Sequence, residues 1–291
     1  MQHHMEAQDF LADLLQSMQD LPYEPSLLSD LFSLTKDNSP ASLEAIGQTI
    51  ARGQGLAARV LSIANSAYYG LQSEVSSVSR AVAVLGLKEV RNLVLAIGVA
   101  EIASKRKMPK KFEIAEYWMH QVGVGEAARL IALHAAKKGE KEDPDTLYTA
   151  GLLHDLGKLF IASFRPLTWA AIRKLRDTAQ ISDAEAEDRY WGMDHAVIAA
   201  HVLSYWNLPD VLTDPISWHH QPRLAGEHKC AAAMLHVANA LLHSREAQAI
   251  PMSETATALL SRFVPDMEQF ESELALRLAP DNIRAFVSHL I

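Results

Sequence analysis

Thr149-Ala-Gly-Leu-Leu-His154-Asp155-Leu-Gly-Lys158-Leu-Phe-Ile161 is the stretch on which the reading of this chain turns. Its apolar residues read as one helix running through a core. Asp143 and Pro144 suit the start of that helix: an acceptor side chain at the cap, then a proline where a missing N–H costs nothing. Inside the apolar run stands an adjacent His-Asp pair, followed by Gly157 and Lys158. An ionised Asp is almost never fully buried unless it is paired or bound to a metal. The pair therefore predicts partners elsewhere in the chain.

Outward from this stretch, apolar residues return every three or four positions in almost every segment, the period of a helix with one buried face. Residues 6–19 place Phe10, Leu11, Leu14, Leu15 and Met18 on one face. Leu21-Pro22-Tyr23-Glu24-Pro25 breaks the chain, and Pro25 suits the start of a second helix carrying Leu27, Leu28, Leu31, Phe32 and Leu34. Further helices are predicted over Ser42–Arg52, Leu56–Ala67, Val78–Leu85 and Leu87–Ala103, with Gly53, Gly55 and Gly86 as punctuation. A long helix follows over Phe112–Lys138. Beyond the central stretch come Leu167–Thr178, a helix opened by the capping-box sequence Ser182-Asp-Ala-Glu185, then His195–Trp206, Asp210–His220, Ala231–His243, Ser253–Phe263 and a closing set from Asp266 to Leu290. No run of strict alternation marks a sheet, so the chain reads as all-α. The basic, proline-containing stretch Lys105–Lys111 divides it into an N-terminal helical bundle (1–108) packed on a second helical bundle (109–291) that holds the candidate site.

The 291 residues suffice for one large domain or two modest ones, and 49% hydrophobic with 21% charged residues is ordinary for a globular protein. A net charge of −8 argues against broad nucleic-acid binding, which favours basic surfaces. The single cysteine, Cys230, excludes an intramolecular disulfide framework and fits a reducing compartment. No apolar run is long enough to cross a bilayer and no secretory leader is recognisable, so a cytoplasmic location is expected.

The residues able to meet His154 and Asp155 are His120, midway along the long helix, His195 after Gly192, and the doublet His219-His220. Imidazole and carboxylate without thiolate suit one or two divalent transition ions: Fe, Mn, Zn or Ni. Neighbouring residues on a helix point about 100° apart, so His154 and Asp155 address one ion only if it lies between them, or Asp155 bridges two. Lys158, three positions after Asp155, shares its helix face and is placed to meet phosphate charge or else ends the helix at the surface. Asn65-Ser-Ala-Tyr68-Tyr69-Gly70 has two readings: a helix end with locally bonded Asn and left-handed Gly, or a contact surface towards the second bundle or a partner.

Gly151-Leu-Leu-His154-Asp155-Leu-Gly-Lys158 is similar to the signature of the HD superfamily of metal-dependent phosphohydrolases. The order His120, His154-Asp155, His195, His219-His220 resembles the extended ligand order of its HD-GYP branch. The stretches Leu61–Gly70, Val78–Gly86, Trp206-x-Leu-Pro209 and His219-His220-x-Pro222 look more narrowly like the HDOD family, and the similarity covers roughly residues 10–245. That resemblance implies an HD-like second bundle and a bacterial signal-transduction module that binds a metal and works on signalling proteins in trans. It also implies metal ligands at His120, His154, Asp155, His195, His219, His220 and, at the last ligand position, Asn239 in Leu235-His-Val-Ala-Asn239. An Asn there binds a cation more weakly than the Asp of the superfamily pattern. The HD-GYP loop motif is missing after the doublet, where Gln221-Pro-Arg-Leu224 stands, so cyclic di-GMP hydrolysis is not expected. The alternative implied by the resemblance is a phosphohydrolase acting on a nucleotide or other phosphoester, with Asp155 and Lys158 as catalytic residues.

Overall fold

A computed structural model describes residues 2–17, 30, 34, 42–51, 55–246 and 251–291. The predicted break at 21–25 and most of the second helix lie outside these residues. Among the described residues the chain is all-α, as its periodicity predicts. The N-terminal part contains α1 (Gln2–Ser17), α2 (Leu43–Ala51), α3 (Leu56–Ala64), α4 (Val78–Leu85) and α5 (Leu87–Ser104). After the 105–113 loop come α6 (Ile114–Ala136), α7 (Pro144–Leu153), α8 (Leu156–Phe164), α9 (Pro166–Ala179), α10 (Asp183–Trp191), α11 (His195–Tyr205) and α12 (Asp210–Ser217). Two short 3-10 turns lead to α13 (Lys229–His243), α14 (Glu254–Phe263), α15 (Met267–Arg277) and α16 (Pro280–Leu290).

Side-chain acceptors start the helices where free N–H groups need partners. Asp143 accepts from Thr146 N and Thr146 Oγ1 at the start of α7, and Asp194 accepts from Val197 N at α11. Ser182 accepts from Glu185 N at α10, while Glu185 itself turns to Arg189 rather than closing a reciprocal box. Gly192 ends α10 with φ 82°, a backbone conformation that disfavours side chains.

The long helix α6 is the hub, packing on α7, α13, α14, α15 and α16. Val122, Val124, Ala127, Ala128, Leu130, Ile131 and Ala132 are all buried, so it is apolar around much of its circumference, as a central helix must be. It crosses α7 at two glycines: a Cβ on Gly151 would lie 2.5 Å from Gly125 Cα. That crossing brings His120 and the His154-Asp155 pair to the same side of the core. Helices α2 to α5 pack on one another, and α5 also reaches α7 and α8. One hydrophobic cluster continues from Phe10 to Leu290. Within it α1 lies on α10 and α11, with Phe10 stacked on Trp191 at 5.1 Å, and α16 packs on α3 and α6.

Candidate metal centre

The single helix expected through His154-Asp155 is interrupted there: α7 ends at Leu153, α8 begins at Leu156, and Asp155 takes φ −98°, ψ 15°. The cause is local. His154 Nδ1 bonds to the Gly151 carbonyl at 2.8 Å, so a side chain takes up an acceptor of the last turn. The following helix is then free to close on α11 because residue 157 is glycine: a Cβ there would sit 2.1 Å from the His195 carbonyl oxygen. The break aims His154 and Asp155 into the interior together, which a continuous helix, with its 100° step between neighbours, would not do.

Five of the predicted residues converge at this point. Asp155 Oδ1 lies 3.0 Å from His195 Nε2 and 3.4 Å from His154 Nε2. His195 Nε2 is 2.8 Å from His220 Nε2, and the His154 and His219 rings are 5.1 Å apart between centroids. His154, Asp155, His195 and His219 are buried, with at most 2% exposure. His120 stands at the edge, its Nε2 4.0 Å from Asp155 Oδ2 and 3.1 Å from Asn239 Oδ1. Asn239 meets the group through His120. Two sets of three donors are close enough to share an ion: His195, His219 and His220 form one, and His120, His154 and Asp155 the other.

The hydrogen bonds fix which ring nitrogens face inward. His154 donates Nδ1–H to Gly151 O and His219 donates Nδ1–H to Ile216 O, each at 2.8 Å, leaving both Nε2 lone pairs directed at the centre. Neither of those Nε2 atoms has a partner, and neither does Asp155 Oδ1 within hydrogen-bond geometry. Two buried imidazole lone pairs without donors, beside a carboxylate oxygen 3.0 Å from His195 Nε2, fit a cation: each lone pair costs free energy there unless something positive meets it. The 2.8 Å between the His195 and His220 Nε2 atoms is close to the roughly 3 Å that separates neighbouring nitrogens bound at about 2.1 Å to one ion.

Charge agrees with this picture. Burial pushes His154 down to about 3 and holds His219 and His220 well below the ordinary imidazole range, so these rings are neutral lone-pair donors. Burial also opposes charge on His195, but Glu187 and Asp155 outweigh it and lift that ring to about 10, so unlike the other three rings it carries an Nε2 proton that an ion would have to displace. For Asp155 burial opposes ionisation, and the surrounding imidazoles and Lys158 more than offset it, holding the carboxyl well below its usual range. Lys158 is not a surface lysine: its Nζ donates to Asp155 Oδ2 at 2.8 Å and lies 3.5 Å from Asp183 Oδ2.

Sequence reading missed Glu187. Its Oε2 accepts from both the backbone N (2.7 Å) and Nδ1 (2.6 Å) of His195, which orients the ring and turns Nε2 toward Asp155. A signal existed: Glu187 stands four positions before the buried Trp191, on the apolar face of α10. His236, left unassigned from sequence, holds the doublet's loop by donating Nδ1–H to His219 O at 2.8 Å.

The model of the HDOD domain family matches residues 21–222 of the chain. A Treponema pallidum protein of uncharacterised function is 24% identical over 276 residues, 94% of this chain, and the chain spans about half (51%) of that relative's length. An HDOD domain protein of unknown function from Geobacter sulfurreducens has a TM-score of 0.76 at 24% identity, covering 97% of both chains. A Shewanella amazonensis protein provisionally named a phosphohydrolase has a TM-score of 0.71 at 24% identity, covering 96% of this chain and 98% of its own. With the family's stretch containing the interrupted His154-Asp155 helix and the His219-His220 doublet, this chain belongs to the HDOD domain family.

Proposed function

We propose that the chain is a signal-transduction module whose interior donors His154, Asp155, His195, His219 and His220, with His120 at their edge, hold one or two divalent transition ions as a structural element. It acts through contacts with signalling proteins in trans. The observation that carries this reading is the pair of partnerless imidazole nitrogens, His154 Nε2 and His219 Nε2, facing the Asp155 carboxylate.

Access and charge favour a structural ion over a reaction centre. His154, Asp155, His195 and His219 are sealed from solvent, and His220 is half-buried. A neighbouring cavity of about 190 Å³ is lined by Lys158, Tyr117, Trp169, Arg173, Asp183 and Glu187 among others, and by none of the imidazoles. The Lys158 ammonium is engaged by two carboxylates and would have to leave them to meet a phosphate. The segment carrying the doublet also exposes Val211, Trp218 and Leu224 at the surface, so order imposed at His219-His220 would be felt on an apolar contact face.

The second reading is hydrolysis of a phosphoester. It is supported by the two three-donor sets flanking Asp155 and by the provisional name of the Shewanella protein. A bound divalent ion supplies Lewis acidity, polarising a phosphoryl oxygen and lowering the pKa of water. On that reading Asp155 orients the donors, and Lys158, released from Asp155, neutralises phosphate charge.

Elemental analysis of the purified chain, with phosphodiesterase assays of wild type and Asp155→Ala, separates the two. Bound transition metal without turnover is the expected result. Turnover that vanishes in Asp155→Ala would replace the first reading with the second, and protein that takes up no transition metal would remove both.

A further inference from the structure

At the rim of the interior group the ring of His120 faces outward as well as inward. Its Nδ1 lies 2.8 Å from Glu246 Oε1, and the other oxygen of that carboxylate, Oε2, lies 3.1 Å from His243 Nδ1. The His120 and His243 rings are stacked, with centroids 4.5 Å apart and planes at 29°. One ligand atom from each of the three residues lies within 4.8 Å of the others. Asn239, His243 and Glu246 follow one another at four and three positions, along one face of α13 and the turn after it.

His120 has an accounting problem. Its Nε2 is 3.1 Å from Asn239 Oδ1 while Nδ1 is 2.8 Å from a carboxylate oxygen, so both nitrogens face acceptors. A neutral imidazole carries one N–H and can satisfy one of them. A cation between Nδ1 and Glu246 resolves the conflict, with Nε2–H donating to Asn239 and the Nδ1 lone pair binding the ion; a turned Asn239 amide is the other resolution, and a metal titration separates the two. The nitrogen–oxygen separations of 2.8 and 3.1 Å match the roughly 3 Å edge between neighbouring ligands bound at about 2.1 Å, so little movement is needed. The site also lies at the C-terminal end of α13, where the helix dipole favours positive charge.

We infer that His120, His243 and Glu246 form a second, solvent-facing site for a divalent transition ion, and that His120 ligates there instead of joining the His154 and Asp155 set it borders. Two imidazoles and one carboxylate suit Zn(II) or Co(II), with water completing the coordination. Half of the Glu246 side chain and a third of that of His243 are open to solvent, so an ion can reach this site from outside. Asn239, a weaker interior ligand than a carboxylate, here orients His120 for the rim.

The test is a titration of the full, untagged, chelator-stripped chain with Co(II), followed by calorimetry and by elemental counting after desalting. Wild type is compared with His243→Asn, Glu246→Gln and Asp155→Asn. The rim variants are expected to bind about one ion fewer per chain than wild type, with unchanged circular dichroism, because both positions are at the surface. Asp155→Asn is expected to keep the rim ion. If a proton rather than an ion bridges His120 and Glu246, both rim variants bind as many ions as wild type with the same affinity, and the inference falls. It falls equally if Asp155→Asn abolishes all binding. A titration in which only the rim variants lose an ion, while Asp155→Asn matches wild type, supports the rim site and overturns the interior one.

Discussion

Two buried polar clusters flank the hub helix α6, and they are built differently. One gathers around Arg129. Its guanidinium lies 2.8 Å from Glu89 Oε2 and 3.2 Å from Asp145, and stacks over the Tyr148 ring at 3.9 Å. Every carboxylate oxygen of Glu89 and Glu126 has a donor: Tyr69 and Arg129 for the first, Tyr68 and Arg277 for the second. The atom left over there is a donor, Arg129 Nε. The other cluster gathers around Asp155, and the atoms left over are acceptors. A cluster closed by its own donors holds a fold together. A cluster with surplus lone pairs has room for something positive from outside.

The largest effect that could break this contrast is expected at Arg129. Arg129→Ala leaves Glu89 Oε2 without its donor and removes the ring stacking on Tyr148, and should cost about 3 kcal/mol in urea unfolding, equally with and without chelator. If chelator changes that cost, the two clusters are not independent. Next comes the metal. Ions at 100 to 1,000 times their dissociation constant would stabilise the wild type by about 3–4 kcal/mol. Chelator should therefore lower its thermal midpoint, and Asp155→Ala should show a smaller chelator response, limited to what the rim ion contributes. An unchanged wild-type midpoint would leave the Asp155 cluster with surplus acceptors and no cation.

A smaller effect is expected at Tyr68, whose hydroxyl donates to Glu126 at 2.8 Å. Tyr68→Phe should cost about 1 kcal/mol with metal content unchanged. A loss of metal would show that the closed network positions the open one. The smallest effect concerns Asp183, which joins Lys158 to Arg176. Burial opposes its charge, yet Lys158 and Arg176 hold it down to about 2. Because the folded value is depressed, its contribution is present above the unfolded value of about 3.9 and is lost as pH falls toward 2. The stability gap between wild type and Asp183→Asn should therefore be constant at neutral pH and close below about pH 4. A gap that persists at pH 2 would mean that Asp183 acts through packing instead.

The Tyr68-Tyr69 stretch shows how its two sequence readings meet. Asn65 bonds local backbone, exchanging two hydrogen bonds with Val75, and Gly70 has φ 55°. The Tyr pair at the same time crosses to Glu126 and Glu89. Only the first half was local enough to be read from residue order.

Helical class and most helix ends could be read from residue order, because each rests on short-range rules: a 3.6-residue period, an acceptor before a free N–H, a glycine where φ is positive. The imidazoles expected around Asp155 rest on a family resemblance and not on those rules. The break at His154-Asp155 could not be read from residue order, since an apolar run carries the period of a helix whether or not a side chain takes over one backbone carbonyl. Glu187, His243 and Glu246 were equally hidden as partners. Their roles arise where α10 meets α11 and where the end of α13 meets α6. Long-range packing alone decided which lone pairs were matched and which were left facing one another, because a hydrogen bond depends on where two atoms come to rest and not on how far apart they stand along the chain.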